Sequence, residues 1–202
     1  MKADHPLPII TLFGETVENF YQLGLNDRDG HEMLLEHAKL IMSTPWENAN
    51  KLITPIVTKL ISQITNSNPE FNELVHSYAQ GLKKPTSELI YAFLVPEIFC
   101  FMNKWMPGVP YYSFGCSSIF TWCEKRSTLV HGRILDFPFA GSFDVNERAL
   151  LTAHSDGAKT FSLGTSGIPF SSITSMSEHG FTLAVHQKFS SVFNKNGKPI
   201  FQ

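Results

Sequence analysis

The residues best equipped for chemistry lie between Gly115 and Pro138, in the stretch GCSSIFTWCEKRSTLVHGRILDFP. Cys116 follows a glycine. Two strand-like runs flank a polar turn at Glu124 to Ser127, and Arg133 and Asp136 stand near the end of the second run. A thiol attacks as its thiolate, so a nucleophilic cysteine needs a base. An α-amino group has a reference pKa of about 7.7–8.0, close enough to neutral to serve. If Cys116 is the first residue of a mature chain, its own amine is that base. An aspartate beside the amine would orient it. Gly115 leaves room for the thiol to attack the Gly115 carbonyl, which is a route to self-cleavage between Gly115 and Cys116.

Two strands must position these groups. Pairing them across the turn sets Cys123 opposite Thr128, Ser118 opposite Arg133 and Cys116 opposite Leu135. Side chains alternate along a strand, so Cys116 and Ser118 share a face. Arg133 joins them there as a diagonal neighbour of Cys116, roughly 7–8 Å away. A guanidinium in that place can hold a thiolate or a substrate oxygen. Asp136 falls opposite Gly115, near the Cys116 nitrogen but on the other face by strict alternation. The strand must bend there for Asp136 to reach the site, and Phe137-Pro138 provides a bend. A slip of one residue would separate the group.

Composition bounds the possibilities. The chain has 202 residues, 43% hydrophobic and 17% charged, enough to bury a sizeable core. The net charge of −2, with no basic run, argues against a nucleic-acid partner. Three cysteines (Cys100, Cys116, Cys123) are too few for a disulfide framework, and none forms a C-x-x-C pair. No cofactor and no metal are expected. Cys100 and Cys123 read as core. Ser117 and Ser118 lack the G-x-S-x-G surroundings of a serine nucleophile. The longest apolar run, Leu89 to Met102, is broken by Pro96 and Glu97. It falls short of the roughly 20 residues a membrane span needs. The first twenty residues lack the continuous apolar core of a secretory signal, so a cytoplasmic protein is the default expectation.

The rest of the chain divides in two. A short extended piece at Ile9 to Phe13 precedes a helical region from Glu15 to about Met106. Helices are expected over Glu15 to Leu23 and over Glu32 to Met42, with a turn through Asn26, Asp27, Asp29 and Gly30 between them. Others are expected from Ser43 to Ile64 with a kink at Pro55, from Glu70 to Gln80 ended by Gly81, and from Glu88 onward with a bend at Pro96. Pro107, Gly108 and Pro110 form a linker. Beyond it come short strands: Ser117 to Trp122, Thr128 to Leu135, Ala149 to Ala153, Thr160 to Leu163, Ser171 to Met176, Phe181 to Phe189, and a last hairpin with Val192 and Ile200. Asp156-Gly157 and Asn196-Gly197 are hairpin signals. The expected fold class is α+β, helices first and then an antiparallel β-meander. The domain division is residues 1–115 and 116–202. The strand-like ending Pro199 to Gln202 suggests a fragment.

Cys116-Ser117-Ser118-Ile119, His131-Gly132-Arg133 and Leu135-Asp136-Phe137 resemble the N-terminal cysteine hydrolases of the acid ceramidase, N-acylethanolamine acid amidase and choloylglycine hydrolase group. The penicillin acyltransferase branch is also similar. Ala79 to Leu82, Glu88 to Ile90 and Glu97 resemble the propeptide of that branch. Ser171 to Phe189 resembles the segment leading to the family's oxyanion asparagine. The resemblance covers most of residues 70–190. It implies an αββα sandwich of the N-terminal nucleophile (Ntn) type, a helical propeptide over 1–115 and autocatalytic cleavage of a zymogen before Cys116. It further implies Cys116 as thiol nucleophile, supported by Arg133 and Asp136. His186 stands roughly where the asparagine would donate to the oxyanion; a histidine donates only when protonated or in the matching tautomer. The family's later asparagine and arginine would lie beyond Gln202.

The implied function is a self-processing amidohydrolase. It cleaves the amide of a small N-acyl substrate, lipid-like or bile-salt-like, through a thioester on Cys116. The N-terminal segment could stay bound as a subunit. Alternatives are an acyltransferase using the same thioester, a non-catalytic acyl-binding or interaction relative of the same fold, and a helical protein-interaction domain at 15–106 with an incidental β tail. His131 reads as structural, and His154 and His179 as turn residues.

Overall fold

The computed structural model describes residues 6–14, 16–43, 69–93, 115–136, 145–170 and 174–186, with scattered helical residues between 51 and 62. Pro55 is among those helical residues; the bend expected at Pro96, the linker at 107–110 and the hairpin at 192–200 lie outside what is described.

Strand β1 (Ile9–Phe13) leads into helix α1 (Val17–Asn26). Thr16 caps the helix in extended geometry, its hydroxyl oxygen accepting from the Asn19 amide at 3.2 Å. Phe20 and Leu23 then fall one turn apart on the buried face. Asp27 alone separates α1 from α2 (Arg28–Met42). The expected turn through Asp29 and Gly30 is therefore corrected, because both are helical. The cause is tertiary. Gly30 lies against Ser166, and a Cβ there would fall 2.5 Å from Ser166 Oγ. The glycine serves a close approach rather than a turn.

Helix α3 (Pro69–Leu82) corrects a second expectation. Gly81 does not end the helix but sits inside it, packed on Gly24 of α1. A Cβ at Gly81 would fall 2.2 Å from Tyr21 O, and one at Gly24 2.3 Å from Tyr78 O. The left-handed terminating position falls instead to Lys83 at φ 59°. Its amide donates to Gln80 O at 3.1 Å and the Lys84 amide to Ala79 O at 3.0 Å, a Schellman ending. Residues 86–93 are helical again.

The remaining strands are β2 (Gly115–Cys123), β3 (Thr128–Asp136), β4 (Glu147–Ala153), β5 (Lys159–Thr165), β6 (Thr174–Ser177) and β7 (Thr182–Ala184). They form a five-stranded sheet in the order β1-β4-β5-β6-β7 and a separate hairpin, β2-β3. The β4-to-β7 part is the expected antiparallel meander, and Gly157 at φ 89° turns its first hairpin. One pairing is parallel: β1 lies beside β4, with Ile9 opposite Ala149. The fold class is α+β.

The core lies between the helices and one sheet face. Leu12 of β1 and Leu150 of β4 are buried with Phe20, Leu23, Leu34, Val75, Tyr78, Leu82, Leu89, Phe93 and Ile168. Phe170 is ringed by Phe20, Phe71 and Phe93 at 5.1–5.6 Å. This single core joins residues on both sides of position 115.

A polar hub sits inside it. Asp27 and Arg148 are 1% and 3% exposed and form an ion pair. The other carboxylate partners are Tyr78 OH at 2.6 Å, Ser166 Oγ at 3.1 Å and the Gly167 amide at 3.2 Å. Burial, with the Asp27 charge beside it, pushes the Tyr78 phenol well above its ordinary value, so it stays a donor. Arg148 also donates to Ile168 O at 3.1 Å. Among the described residues, no helix is long and apolar enough to cross a membrane.

Candidate active site

The site is built on the β2-β3 hairpin. The three-residue 3-10 turn Glu124–Arg126 and Ser127, left-handed at φ 46°, reverse the chain. That turn fixes the register: Cys123 pairs with Thr128, Ser118 with Arg133, Cys116 with Leu135 and Gly115 with Asp136. This is the register expected from turn length and alternation. One face therefore carries Cys116, Ser118 and Phe120 on β2, and Leu135, Arg133 and His131 on β3.

Beyond β7 the chain lies across that face. His131 Nδ1 bonds Thr182 Oγ1 at 2.9 Å, and its ring stacks on Phe120 with centroids 4.2 Å apart. Arg133 Nη2 donates to the Val185 carbonyl, and Arg133 Nη1 lies 3.1 Å from His186 Nε2. The same Nε2 is 2.8 Å from Ser118 Oγ, while His186 Nδ1 is 3.1 Å from the Cys116 carbonyl oxygen. The hairpin thus packs on the β7 edge of the five-stranded sheet.

Donor and acceptor chemistry fixes the roles. A carbonyl oxygen only accepts and a guanidinium only donates. Nδ1 must then carry the proton that reaches the Cys116 carbonyl. Nε2 is the lone pair that faces Arg133 and Ser118. Both ring nitrogens of His186 are committed to protein partners.

Of the expected site residues, the structure brings Cys116, Arg133 and His186 together. Cys116 is a half-buried free thiol. Arg133 is half-buried, and among the described residues no carboxylate forms an ion pair with it. The Asp136 main chain is placed opposite Gly115 at the strand end; its side chain lies outside what is described. Sequence reasoning passed over Ser118 as a partner for His186, and His131 and Thr182 as a link between hairpin and sheet. The signal for Ser118 was in the register, since it stands opposite Arg133 on the Cys116 face. Its link to a histidine 68 residues away carries no local signal. No protein-family model matches this chain, and no curated protein matches it either.

Proposed function

We propose that this chain is an N-terminal cysteine amidohydrolase of the Ntn type, activated by cleavage between Gly115 and Cys116. One observation carries the proposal: the hairpin register sets Cys116, at the start of a strand and directly after a glycine, on one face with the Arg133 guanidinium. The α+β class is compatible with it: helices cover one face of the five-stranded sheet, and the hairpin forms a separate β-element that meets the β7 edge.

The chemistry runs in two stages. First, the Cys116 thiol adds to the Gly115 carbonyl and the peptide C–N bond breaks. The resulting thioester takes up water, leaving a Gly115 carboxylate and a free Cys116 amine. In turnover that amine takes the thiol proton as the sulfur attacks a substrate amide carbonyl. The proton passes to the departing amine, and an acyl thioester remains on Cys116. Water then cleaves the thioester, releasing a carboxylic acid and restoring the thiol. An amine acceptor in place of water makes the same intermediate an acyltransferase. Substrates of this class are small N-acyl amides, with no metal or cofactor in the scheme.

A second reading, a non-catalytic relative that binds acyl groups or a partner, is favoured by the commitment of both His186 nitrogens. That leaves His186 no free donor for an oxyanion. Intact mass of the denatured protein separates the two readings. Two fragments meeting at Gly115/Cys116, absent from Cys116→Ala, support the hydrolase, as does covalent labelling of Cys116 by an electrophilic acyl probe. An uncut chain with ordinary thiol reactivity refutes it.

A further inference from the structure

We infer that Ser118 and His186 form a positioning pair for Cys116, in which His186 orients the nucleophile's main chain and Arg133 rather than donating to an oxyanion. The inference rests on the proposal that Cys116 is the nucleophile. Its starting point is what holds the main chain of the reacting residue. On the described strands, Cys116 has a ladder partner in Leu135, and its carbonyl oxygen takes the His186 Nδ1 proton at 3.1 Å. Attack by a thiol needs the sulfur aimed at a carbonyl carbon to within a fraction of an ångström, so main-chain freedom at Cys116 lowers the rate directly.

One imidazole reaches both strands. Nδ1–H binds Cys116 on β2, while Nε2 accepts from Arg133 on β3 and from Ser118 on β2. Ser118 makes the shortest of these contacts, at 2.8 Å. Its hydroxyl can either donate or accept. Facing a lone pair, it donates. Two donors on Nε2 make the Nδ1–H tautomer the one that satisfies all three partners, and that tautomer is the one Cys116 needs. Among the described residues, the acceptors that hold Arg133 are neutral: Nε2 and the Val185 carbonyl. Its positive charge is then left for the thiolate or the acyl oxygen one diagonal step away.

Two substitutions of Ser118 separate hydroxyl from volume. Ser118→Thr keeps the hydroxyl and Ser118→Val has the same shape without it. The readout is the rate of appearance of cleaved chains by intact mass, on the full chain, with far-UV circular dichroism reporting folding. Losing one hydrogen bond of this kind should slow Ser118→Val about three- to tenfold, with Ser118→Thr close to wild type. Equal rates for Ser118→Val and wild type overturn the inference while leaving the proposed function intact. The tautomer supplies a test that needs no activity. Nitrogen-15 spectra of histidine-labelled protein, with the His186 signal identified by its loss in His186→Asn, should show the Nδ1–H form. An Nε2–H form overturns the pair whether or not the chain cleaves. Absence of cleavage in wild type, with the Nδ1–H form present, refutes the proposed function and leaves only the geometric half of the inference standing.

Discussion

Asp27 should be the most costly single polar residue to alter among the described residues. Its carboxylate is 1% exposed and accepts four hydrogen bonds, one from a buried arginine. Asp27→Asn removes the charge and turns one amide edge, a donor, toward groups that are themselves donors. Arg148 then keeps its charge with neutral acceptors only, such as the Ile168 carbonyl, and its Nε has no partner even in the native protein. Breaking one side of a buried pair costs about 3–5 kcal/mol. Against a total stability of about 5–15 kcal/mol this is a large share. Arg148→Met should cost less, because Tyr78, Ser166 and Gly167 still satisfy the carboxylate. The double variant should cost less than the two singles added together, by about 1–3 kcal/mol, since neither buried charge is left without its partner. The assay is urea unfolding followed by circular dichroism. With a slope of about 2 kcal/mol per molar, Asp27→Asn should lower the midpoint by about 1.5–2.5 M. If Asp27→Asn does not fold, Ser166→Ala, which removes one donor, should still cost about 1 kcal/mol. A cost below about 1 kcal/mol for both single variants, or strict additivity in the double, would refute the reasoning.

Two more outcomes follow from buried contacts. Gly24→Ala and Gly81→Ala each place a methyl 2.2–2.3 Å from a backbone oxygen of the facing helix. Each should destabilise by about 1–3 kcal/mol despite the better helix propensity of alanine, measured by thermal melts; unchanged melting would show that the helices separate freely. His31 is fully buried with no hydrogen bond on either ring nitrogen. Burial lowers its pKa from 6.5 to about 4; Glu88 opposes this and Lys84 adds to it. The unfolded chain therefore binds the proton first. Stability from this residue is complete above pH 6.5 and falls as pH drops toward 4, by roughly 3 kcal/mol in all. His31→Leu should flatten the dependence of stability on pH in that window, and an equally steep profile would count against it.

Local pattern was enough for the hairpin. A short polar turn between two alternating runs leaves few pairings, so Cys116, Ser118 and Arg133 could be set on one face from the sequence. The same holds for β4 and β5 and for Ile9 to Phe13 as an extended piece; the strand expected over Phe181 to Phe189 is shorter, ending at Ala184 before Val185 and His186 turn to Arg133. Tertiary structure decided the rest, because the deciding contacts join residues far apart in the chain. Asp27 reads as a turn former and does break the chain between α1 and α2, yet its partner Arg148 is 121 residues away and the turn does not extend to Asp29 and Gly30. Gly81 reads as a helix stop, yet the approach of α1 keeps it inside a helix. The parallel pairing of β1 with β4 has no local cause, since parallel strands are joined by long connections. His186 could be suspected from the sequence alone. Which of its nitrogens carries the proton depends on three partners from two other strands, and only the folded chain brings those together.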